Sequence, residues 1–425
     1  MAVSDHENEN ATTTVGPESA GGHGYAGPTG TTSREPDEPS ASPVRQTVRP
    51  GAPTMRALVK HHAGPELKFV PNHQLPCGST GEPGVCGPND VLVKVHRAGV
   101  CGTDRHIWEW DDWAAGRIPV GIVTGHEFVG VVEAVGDAVF QVKPGDRVSA
   151  EGHVSPGHDY NSLIGDAHVA RNMRILGVDM DGIFADYAMI PQKNIWPVHA
   201  DIPDNVAAIF DPYGNAVHTV MAADVSTKSV LVTGTGIIGL MAVTVAQACG
   251  ASRIYATDTN PERRSLAMKL GAYAAFDPRP TEMGGEGDAW IERIKAETQG
   301  DGVDCLLEMS GAPPAIEQGF RAMRQGGTAA LLGIPSRSFE FDLTDHVIFK
   351  GATVLGINGR RMWDTWFAME RLYLSGRVKL DDILTHVIPM DEFPQAFALM
   401  QSGEGIKVVL DVNGPTGHGP DPDAI

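Results

Sequence analysis

The stretch VLVTGTGIIGLMAVTVAQA, residues 230–248, decides the fold of this chain. An apolar run typical of a buried strand leads directly into Gly234, Gly236 and Gly239, and an apolar helix pattern follows. In this order the glycines permit a tight turn and a close approach of the backbone to a pyrophosphate, which faces the helix N-terminus. The pattern predicts a dinucleotide-binding turn; a tight strand–helix turn without a ligand is the simpler alternative.

The flanking sequence extends this pattern into a sheet. The near-continuous apolar runs RIYATD, VDCLLEMSG and TAALLGI alternate with helix-like segments, as in a doubly wound parallel sheet. Asn260-Pro261 and Gly271 carry the start and stop signals of one such helix.

Asp258 ends the second strand, 19 residues after Gly239. A carboxylate there accepts hydrogen bonds from ribose hydroxyls and repels a 2′-phosphate, so NAD is favoured over NADP. Arg263, in the following helix, is either a second cofactor contact or a solvated charge.

Composition limits the remaining possibilities. The chain has 425 residues, enough for two domains, and 42% of them are hydrophobic. The sequence contains no stretch of 18 uninterrupted apolar residues, so it predicts no membrane-spanning helix. A net charge of −20 makes nucleic-acid binding improbable. Five cysteines are too few and odd in number for a disulfide framework, which indicates a cytoplasmic chain.

The chain divides into segments of different texture. Residues 1–54, half of them Gly, Pro, Ser or Thr, predict a disordered extension, and residues 414–425 predict a loose tail. From 55 to 210, short β-rich runs broken by Gly and Pro predict a barrel-like or sandwich-like domain. Residues 211–349 hold the nucleotide-binding pattern, and 350–413 add a strand, a helix from 363 to 375 and a last strand, KVVLDV.

A second constellation of residues carries metal chemistry. The segment AGVCGTDRHIWEWDDW contains Cys101, GHE places His126 beside Glu127, and IFDPYGNAVHT supplies Asp211. A thiolate, an imidazole and one carboxylate form a catalytic-zinc ligand set that leaves a position open for water or substrate. Taken singly, each of these residues could also have a purely structural role in packing or helix capping. The dinucleotide-binding pattern elsewhere in the chain favours the metal site, because hydride transfer needs a group that activates the alcohol.

Three further residues are candidates for proton transfer or substrate contact. Thr103 and His106 can pass a proton from hydroxyl to imidazole to solvent, and a local turn hydrogen bond is the alternative. His153, in AEGH, is either a residue of the substrate cavity or a surface histidine.

Together, CGTDRHIWEWDDW, TGHEFVGVVEAVG, GDRVSAEGH, IFDPYGNAVHT, VLVTGTGIIGLMA, LEMSGAPPAI and LLGIPS resemble the L-threonine 3-dehydrogenase family. This family belongs to the zinc-dependent medium-chain alcohol dehydrogenases, and the resemblance covers residues 55–413. It implies a Rossmann sheet inserted in a GroES-like β-barrel catalytic domain, and NAD-linked oxidation of the threonine hydroxyl to 2-amino-3-ketobutyrate. It also implies a homotetramer.

The resemblance assigns roles residue by residue. It implies zinc ligands at Cys101, His126 and Glu127, a charge-relay pair at Thr103 and His106, and a substrate-side His153. Asp211 matches either a further ligand or a member of the proton relay. The implied NAD positions are Ile238, Asp258, Arg263, Leu332, Gly333, Ile334, Ile357 and Asn358.

Two departures from the family stand out. The family's second, structural zinc is held by four cysteines, whereas the matching positions here are Pro156, Asp159, Ser162 and Ala170. A site of four thiolates cannot form without cysteine, so the sequence predicts one catalytic zinc per chain and no structural zinc. The segment 76–88, with Cys77 and Cys86, is interpreted as a surface loop with two free thiols.

Three other functions stay open at this point. A polyol or sugar dehydrogenase of the same superfamily keeps the chemistry and changes the substrate. A zinc-free reductase of the same architecture is disfavoured by the complete ligand set, and a non-catalytic NAD-sensing protein is disfavoured by Thr103 and His106.

Overall fold

The computed structural model describes residues 54–417. The predicted disordered extension therefore lies outside the described residues, except for Thr54, which begins the first strand. Between residues 54 and 417, no helix combines the length and the apolar character needed to cross a bilayer.

The N-terminal part is rich in short strands. Its strands are β1 Thr54–Val59, β2 Lys68–Gln74, β3 Asp90–Gly99, β4 Glu127–Val135, β5 Arg147–Ala150, β6 His153–Val154, β7 Arg174–Ile175, β8 Tyr187–Pro191 and β9 Ile195–Pro197. Three short α-helices interrupt the strands in this part of the described chain: α1 Gly102–Glu109, α2 Asp112–Arg117 and α3 Tyr160–Leu163. The apolar faces of these strands enclose one core around Val93, Phe128 and Phe184.

The middle part alternates strands and helices. Its helices are α4 Asp204–Ala207, α5 Phe210–Ala222, α6 Ile237–Ala248, α7 Pro261–Lys269, α8 Ala289–Glu297 and α9 Pro313–Ala322. Its strands are β10 Ser229–Thr233, β11 Arg253–Thr257, β12 Ala274–Phe276, β13 Val303–Glu308, β14 Met323–Leu331 and β15 Thr353–Gly356.

These six strands form one parallel sheet in the order β12-β11-β10-β13-β14-β15. This is the Rossmann order, and it confirms the predicted doubly wound sheet. The chain reverses its winding direction between β10 and β13, so a crevice forms at their carboxyl ends, beside Thr233 and Glu308.

The last part returns to the first sheet. It contains α10 Asp364–Leu374, β16 Leu384–Pro389, α11 Phe393–Ser402 and β17 Lys407–Asp411. β17 pairs with β3, which places it in a sheet of order β16-β17-β3-β4-β5-β9, with β8 also on β3. The β-rich domain is thus assembled from both ends of the chain.

Two predicted boundaries need correction. The segment 350–413 was assigned to the catalytic domain, but β15 pairs in parallel with β14, so the nucleotide-binding sheet continues to Gly356. A short apolar run such as TVLG carries no signal for the sheet it joins, because the pairing partner is distant. The tail predicted to begin at 414 is placed as far as Gly417: the buried Thr416 hydroxyl donates to Asp204 at 2.9 Å.

The lobe at residues 155–171 is held by hydrogen bonds. Asp159 accepts from the Ser162 hydroxyl at 2.6 Å and from the backbone N–H groups of Asn161, Ser162 and Arg171. The Ser162 hydroxyl also lies 2.7 Å from that of Ser155. One carboxylate therefore joins both ends of this lobe.

Replacing Asp159 with Ala should loosen the lobe without unfolding the protein. The backbone N–H groups of Asn161, Ser162 and Arg171 lose their shared acceptor, so amide hydrogens in peptides that cover residues 161–171 should exchange faster in hydrogen-exchange mass spectrometry. Asp166→Ala is the matched control, since Asp166 makes one long contact, 3.4 Å, to Arg361. Equal exchange in both variants would contradict the role given to Asp159.

Candidate active site

Three potential metal ligands meet where β3 ends and β4 begins. Gly99 pairs with Glu127 across the antiparallel strands, so Cys101, just beyond β3, comes beside His126 and Glu127. Their ligand atoms all lie within 4.8 Å of one another. Thiolate, imidazole and carboxylate fit zinc, and His126 Nδ1 and Glu127 Oε1 have no hydrogen-bond partner among the described residues.

His126 is buried among negative charges. Burial by itself disfavours the imidazolium, but a hydrogen bond with Cys101 and the charges of Cys101, Asp104 and Asp211 outweigh it and raise the pKa of His126 to about 10. In the metal-free protein, the surrounding negative charges therefore favour the protonated, cationic form of the His126 ring.

Glu127 has a counter-charge that the sequence analysis missed. Lys407 Nζ, 1% exposed, lies 2.6 Å from Glu127 Oε2 and donates to the Val100 carbonyl at 2.8 Å. The contact with Glu127 is an ion pair without hydrogen-bond geometry, and Glu127 Oε1 stays unpaired. The sequence signal that could have predicted this ion pair is Lys407 itself, a charged residue at the start of the apolar strand KVVLDV.

Thr103 and His106 lie on α1, one turn apart, but no hydrogen bond joins them within residues 54–417. The Cys101 Sγ atom lies 3.9 Å from Thr103 Oγ1. The His106 side chain is 57% exposed, and its Nδ1 lies 2.6 Å from Asp111 Oδ2. The structure thus places Thr103 at the metal cluster and His106 at the surface.

Asp211 lies outside the metal cluster, in the first turn of α5. A Cβ atom on Gly152 would be 3.7 Å from both Asp211 Oδ2 and His126 Cβ, so both residues border the same glycine, and the Asp211 charge acts on the His126 ring. Its Oδ2 is 2.7 Å from Nη2 of the buried Arg360, a second residue that the sequence analysis missed.

His153 is half-buried and is not a surface histidine. Its side chain is 13% exposed, its Nδ1 has no hydrogen-bond partner among the described residues, and its ring packs against Gly359. Burial, and then the charge of Arg360, lower the pKa of His153. The His153 side chain is therefore a neutral imidazole next to Gly359.

The predicted cofactor residues gather at one edge of the parallel sheet. The glycine turn follows β10, Leu332-Gly333-Ile334 follows β14, and Ile357-Asn358 follows β15. Because carboxyl ends of parallel strands share one edge, the three loops face the same crevice.

The glycine turn has the expected backbone. Gly234 has a φ of +82°, and a Cβ atom there would meet Ser310 at 2.7 Å. Gly236 begins α6 with open space above it, and Gly239 packs against the Gly234 carbonyl. A pyrophosphate can therefore approach the helix N-terminus at Gly236.

Asp258 anchors this turn. It is 9% exposed, and its carboxylate accepts from the Thr235 and Asn260 backbone N–H groups, each at 2.8 Å. Arg263 is half-buried, and its Nε has no partner among the described residues. Ile238 is half-buried in the first turn of α6.

Fold and site together define a zinc-binding alcohol dehydrogenase of the medium-chain type. Residues 87–200 match the family model described as alcohol dehydrogenase GroES-like domain, and residues 238–375 match that described as zinc-binding dehydrogenase.

Comparison with individual relatives identifies the family within this class of dehydrogenases. The L-threonine 3-dehydrogenase of Symbiobacterium thermophilum is 44% identical over 84% of this chain and 98% of its own. Among solved structures, alcohol dehydrogenase TADH from Thermus sp. ATN1 has a TM-score of 0.73 at 29% identity, covering 84% of this chain and 100% of its own. A zinc-binding dehydrogenase from Sinorhizobium meliloti 1021 bound to NADP has a TM-score of 0.72 at 27% identity, covering 84% and 99%. The chain belongs to the L-threonine 3-dehydrogenase family, which confirms the resemblance found in the sequence.

The protonation of His126 should make metal binding depend on pH. With a pKa of about 10 in the metal-free protein, the ring carries a proton between pH 6 and 8, and a metal must displace it. The apparent affinity for zinc should therefore rise by at least ~10-fold per pH unit in this range. Competition with a chromophoric chelator measures this slope, and an affinity independent of pH would contradict the assignment of His126.

Proposed function

We propose that this chain is a zinc- and NAD-dependent dehydrogenase that oxidises the secondary hydroxyl of L-threonine to 2-amino-3-ketobutyrate. The observation that carries the proposal is the Cys101, His126 and Glu127 cluster, whose ligand atoms lie within 4.8 Å of one another. Membership of the L-threonine 3-dehydrogenase family supports the substrate.

The reaction removes a hydride and a proton from the alcohol. The hydride leaves the carbon that bears the hydroxyl and reduces NAD, and the hydroxyl proton goes to solvent. When bound, zinc polarises the alcohol oxygen and lowers its pKa. The chain supplies the ligands Cys101, His126 and Glu127, and it orients NAD through the loops after β10, β14 and β15.

In our proposal, Thr103 and His106 carry the hydroxyl proton towards solvent. The Thr103 hydroxyl is at the metal cluster, and the exposed His106 with its partner Asp111 reaches solvent. Since no direct hydrogen bond joins Thr103 to His106 within residues 54–417, a water completes this path in our proposal. Asp211 acts as a relay member rather than a ligand in our proposal, because it lies outside the group of ligand atoms that are within 4.8 Å of one another and it pairs with Arg360.

NAD rather than NADP is the proposed cofactor. The Asp258 carboxylate, at the end of β11, meets the ribose and opposes a 2′-phosphate. Arg263 lies beyond it on α7, where its guanidinium contacts the adenosine half of the cofactor in our proposal.

We also propose one zinc per chain, in the catalytic site. At the four positions of the family's structural zinc, Pro156 and Ala170 offer no side-chain ligand, and Asp159 and Ser162 hydrogen-bond to each other. A metal assay that finds two tightly bound zinc ions per chain would refute this count.

A homo-oligomer, by resemblance a tetramer, is the proposed assembly. The edge strand β15 and the segment before it expose apolar side chains, among them Ile348 at 61%, Phe349 at 75% and Val354 at 40%. Such a group of apolar side chains at a sheet edge is typical of a subunit interface. All five cysteines are free thiols, which supports a cytoplasmic location.

A panel of substrates tests the function. Initial rates with threonine, sorbitol, xylitol and glucose should show turnover on threonine, and with NAD rather than NADP. Turnover on a polyol or sugar without threonine activity would establish the related dehydrogenase instead. Activity that survives chelation would establish a zinc-free reductase.

Replacing Cys101 with Ser should separate the metal site from the cofactor site. We expect loss of zinc and a fall in kcat of at least ~10³-fold, since the alcohol then keeps its high pKa. NADH affinity, measured by fluorescence titration, should change little because the glycine turn lies on another domain. Cys77→Ser, at an exposed thiol, is the matched control, and collapse of NADH affinity in Cys101→Ser would contradict the assignment.

A further inference from the structure

Arg360 is a buried cation that joins two acids beside the metal cluster. Its side chain is 2% exposed, its Nε donates to Glu151 Oε2 at 2.8 Å, and its Nη2 contacts Glu151 Oε1. The same Nη2 lies 2.7 Å from Asp211 Oδ2. Because a guanidinium presents its N–H donors in a rigid plane, one arginine can orient both carboxylates.

The first turns of α5 are shaped to receive this side chain. Asn215 Oδ1 accepts from Arg360 Nη1 at 3.2 Å, and the Asp211 carbonyl lies 3.5 Å from the same atom. Gly214 leaves the room that the arginine needs, since a Cβ atom there would be 2.6 Å from Arg360 Cδ. The segment 211–215 therefore offers the Arg360 side chain two hydrogen-bonding or charged partners, Asp211 and Asn215, and the space left by Gly214.

Glu151 makes this arginine rigid. The Glu151 carboxylate, fully buried, also accepts from Trp366 Nε1 at 2.9 Å and from the His153 backbone N–H at 2.9 Å. With Glu151 held from two other sides, the guanidinium has one position, and Asp211 is held by it. Asp211 in turn is the carboxylate near His126.

We propose that Arg360 is a positioning residue for alcohol oxidation: it holds the Asp211 carboxylate beside the metal cluster, and residues 211–215 are its receptor. The inference rests on the proposed function, in which Asp211 takes part in proton transfer. Arg360 acts through Asp211, because its N–H groups are directed to Glu151, Asp211 and Asn215.

A double-mutant cycle on the zinc-loaded enzyme tests the coupling. Arg360→Met should lower kcat for threonine about 100-fold, the scale of a misplaced catalytic group, and Asp211→Ala should lower it about 100-fold or more. In the double variant the losses should not add, so its kcat should lie within about 3-fold of Asp211→Ala. The KM for NAD should stay close to that of the wild type in each variant.

Two further variants separate positioning from general damage. Arg361→Met makes the same change at the next residue, whose side chain is 51% exposed and contacts Asp166, and it should leave kcat unchanged. Arg360→Lys keeps the charge but cannot contact both acids in the same way, so its kcat should fall while zinc content and NADH affinity are kept. Additive losses in the cycle, or full activity in Arg360→Lys, would overturn the proposal.

Crystal structures of zinc-loaded Arg360→Lys and the wild type give a readout that needs no substrate. The Asp211 carboxylate should leave its place beside His126 in the variant, and an unmoved carboxylate would also overturn the proposal. If the wild type does not oxidise threonine, the proposed function fails, and the crystal structures still decide the role of Arg360.

Discussion

Charge compensation around the metal cluster is the constraint on which the rest of the structure depends. Glu127, Glu151 and Asp211 are buried within one region, and isolated carboxylates are costly in such surroundings. Lys407 and Arg360 supply the cations, and both come from the part of the chain that follows the nucleotide-binding sheet. Removing one partner of such a buried pair typically costs about 3–5 kcal/mol.

This constraint accounts for the split domain. β17 pairs with β3 so that Val409 lies opposite Gly99, which places Lys407 at the end of β3 where the metal ligands begin. Arg360 lies four residues after the end of β15, and its side chain hydrogen-bonds to Glu151 of the β-rich domain. The part of the chain that follows β15 therefore links the cofactor sheet to the β-rich domain, and it also supplies the two cations, Arg360 and Lys407, that neutralise the buried acids of the site.

The lobe after His153 contains no cysteine, and hydrogen bonds join its two ends. Asp159 joins the two ends of the lobe through Ser162 and the Arg171 backbone N–H. Hydrogen bonds of this kind are individually weak, about 0.5–1.5 kcal/mol, whereas a structural zinc contributes far more. The lobe of this chain therefore rests on several weaker contacts.

The sequence by itself determined the parallel sheet and the glycine turn, because these signals are local: a strand, a turn and a helix in fixed order. It named Cys101, His126 and Glu127 as candidate ligands through the family resemblance, since their spacing alone is not a diagnostic motif. It also placed Asp258 at the end of its strand. Only the tertiary structure decided that Asp211 pairs with Arg360, that Glu127 pairs with Lys407, that His153 is half-buried beside the site and that β15 joins the cofactor sheet. Each of these depends on contacts between residues far apart in the chain, 149 positions for Arg360 and the Asp211 carbonyl, for example. Local periodicity carries no information on which distant cation meets a buried acid, since that is settled by strand pairing and packing.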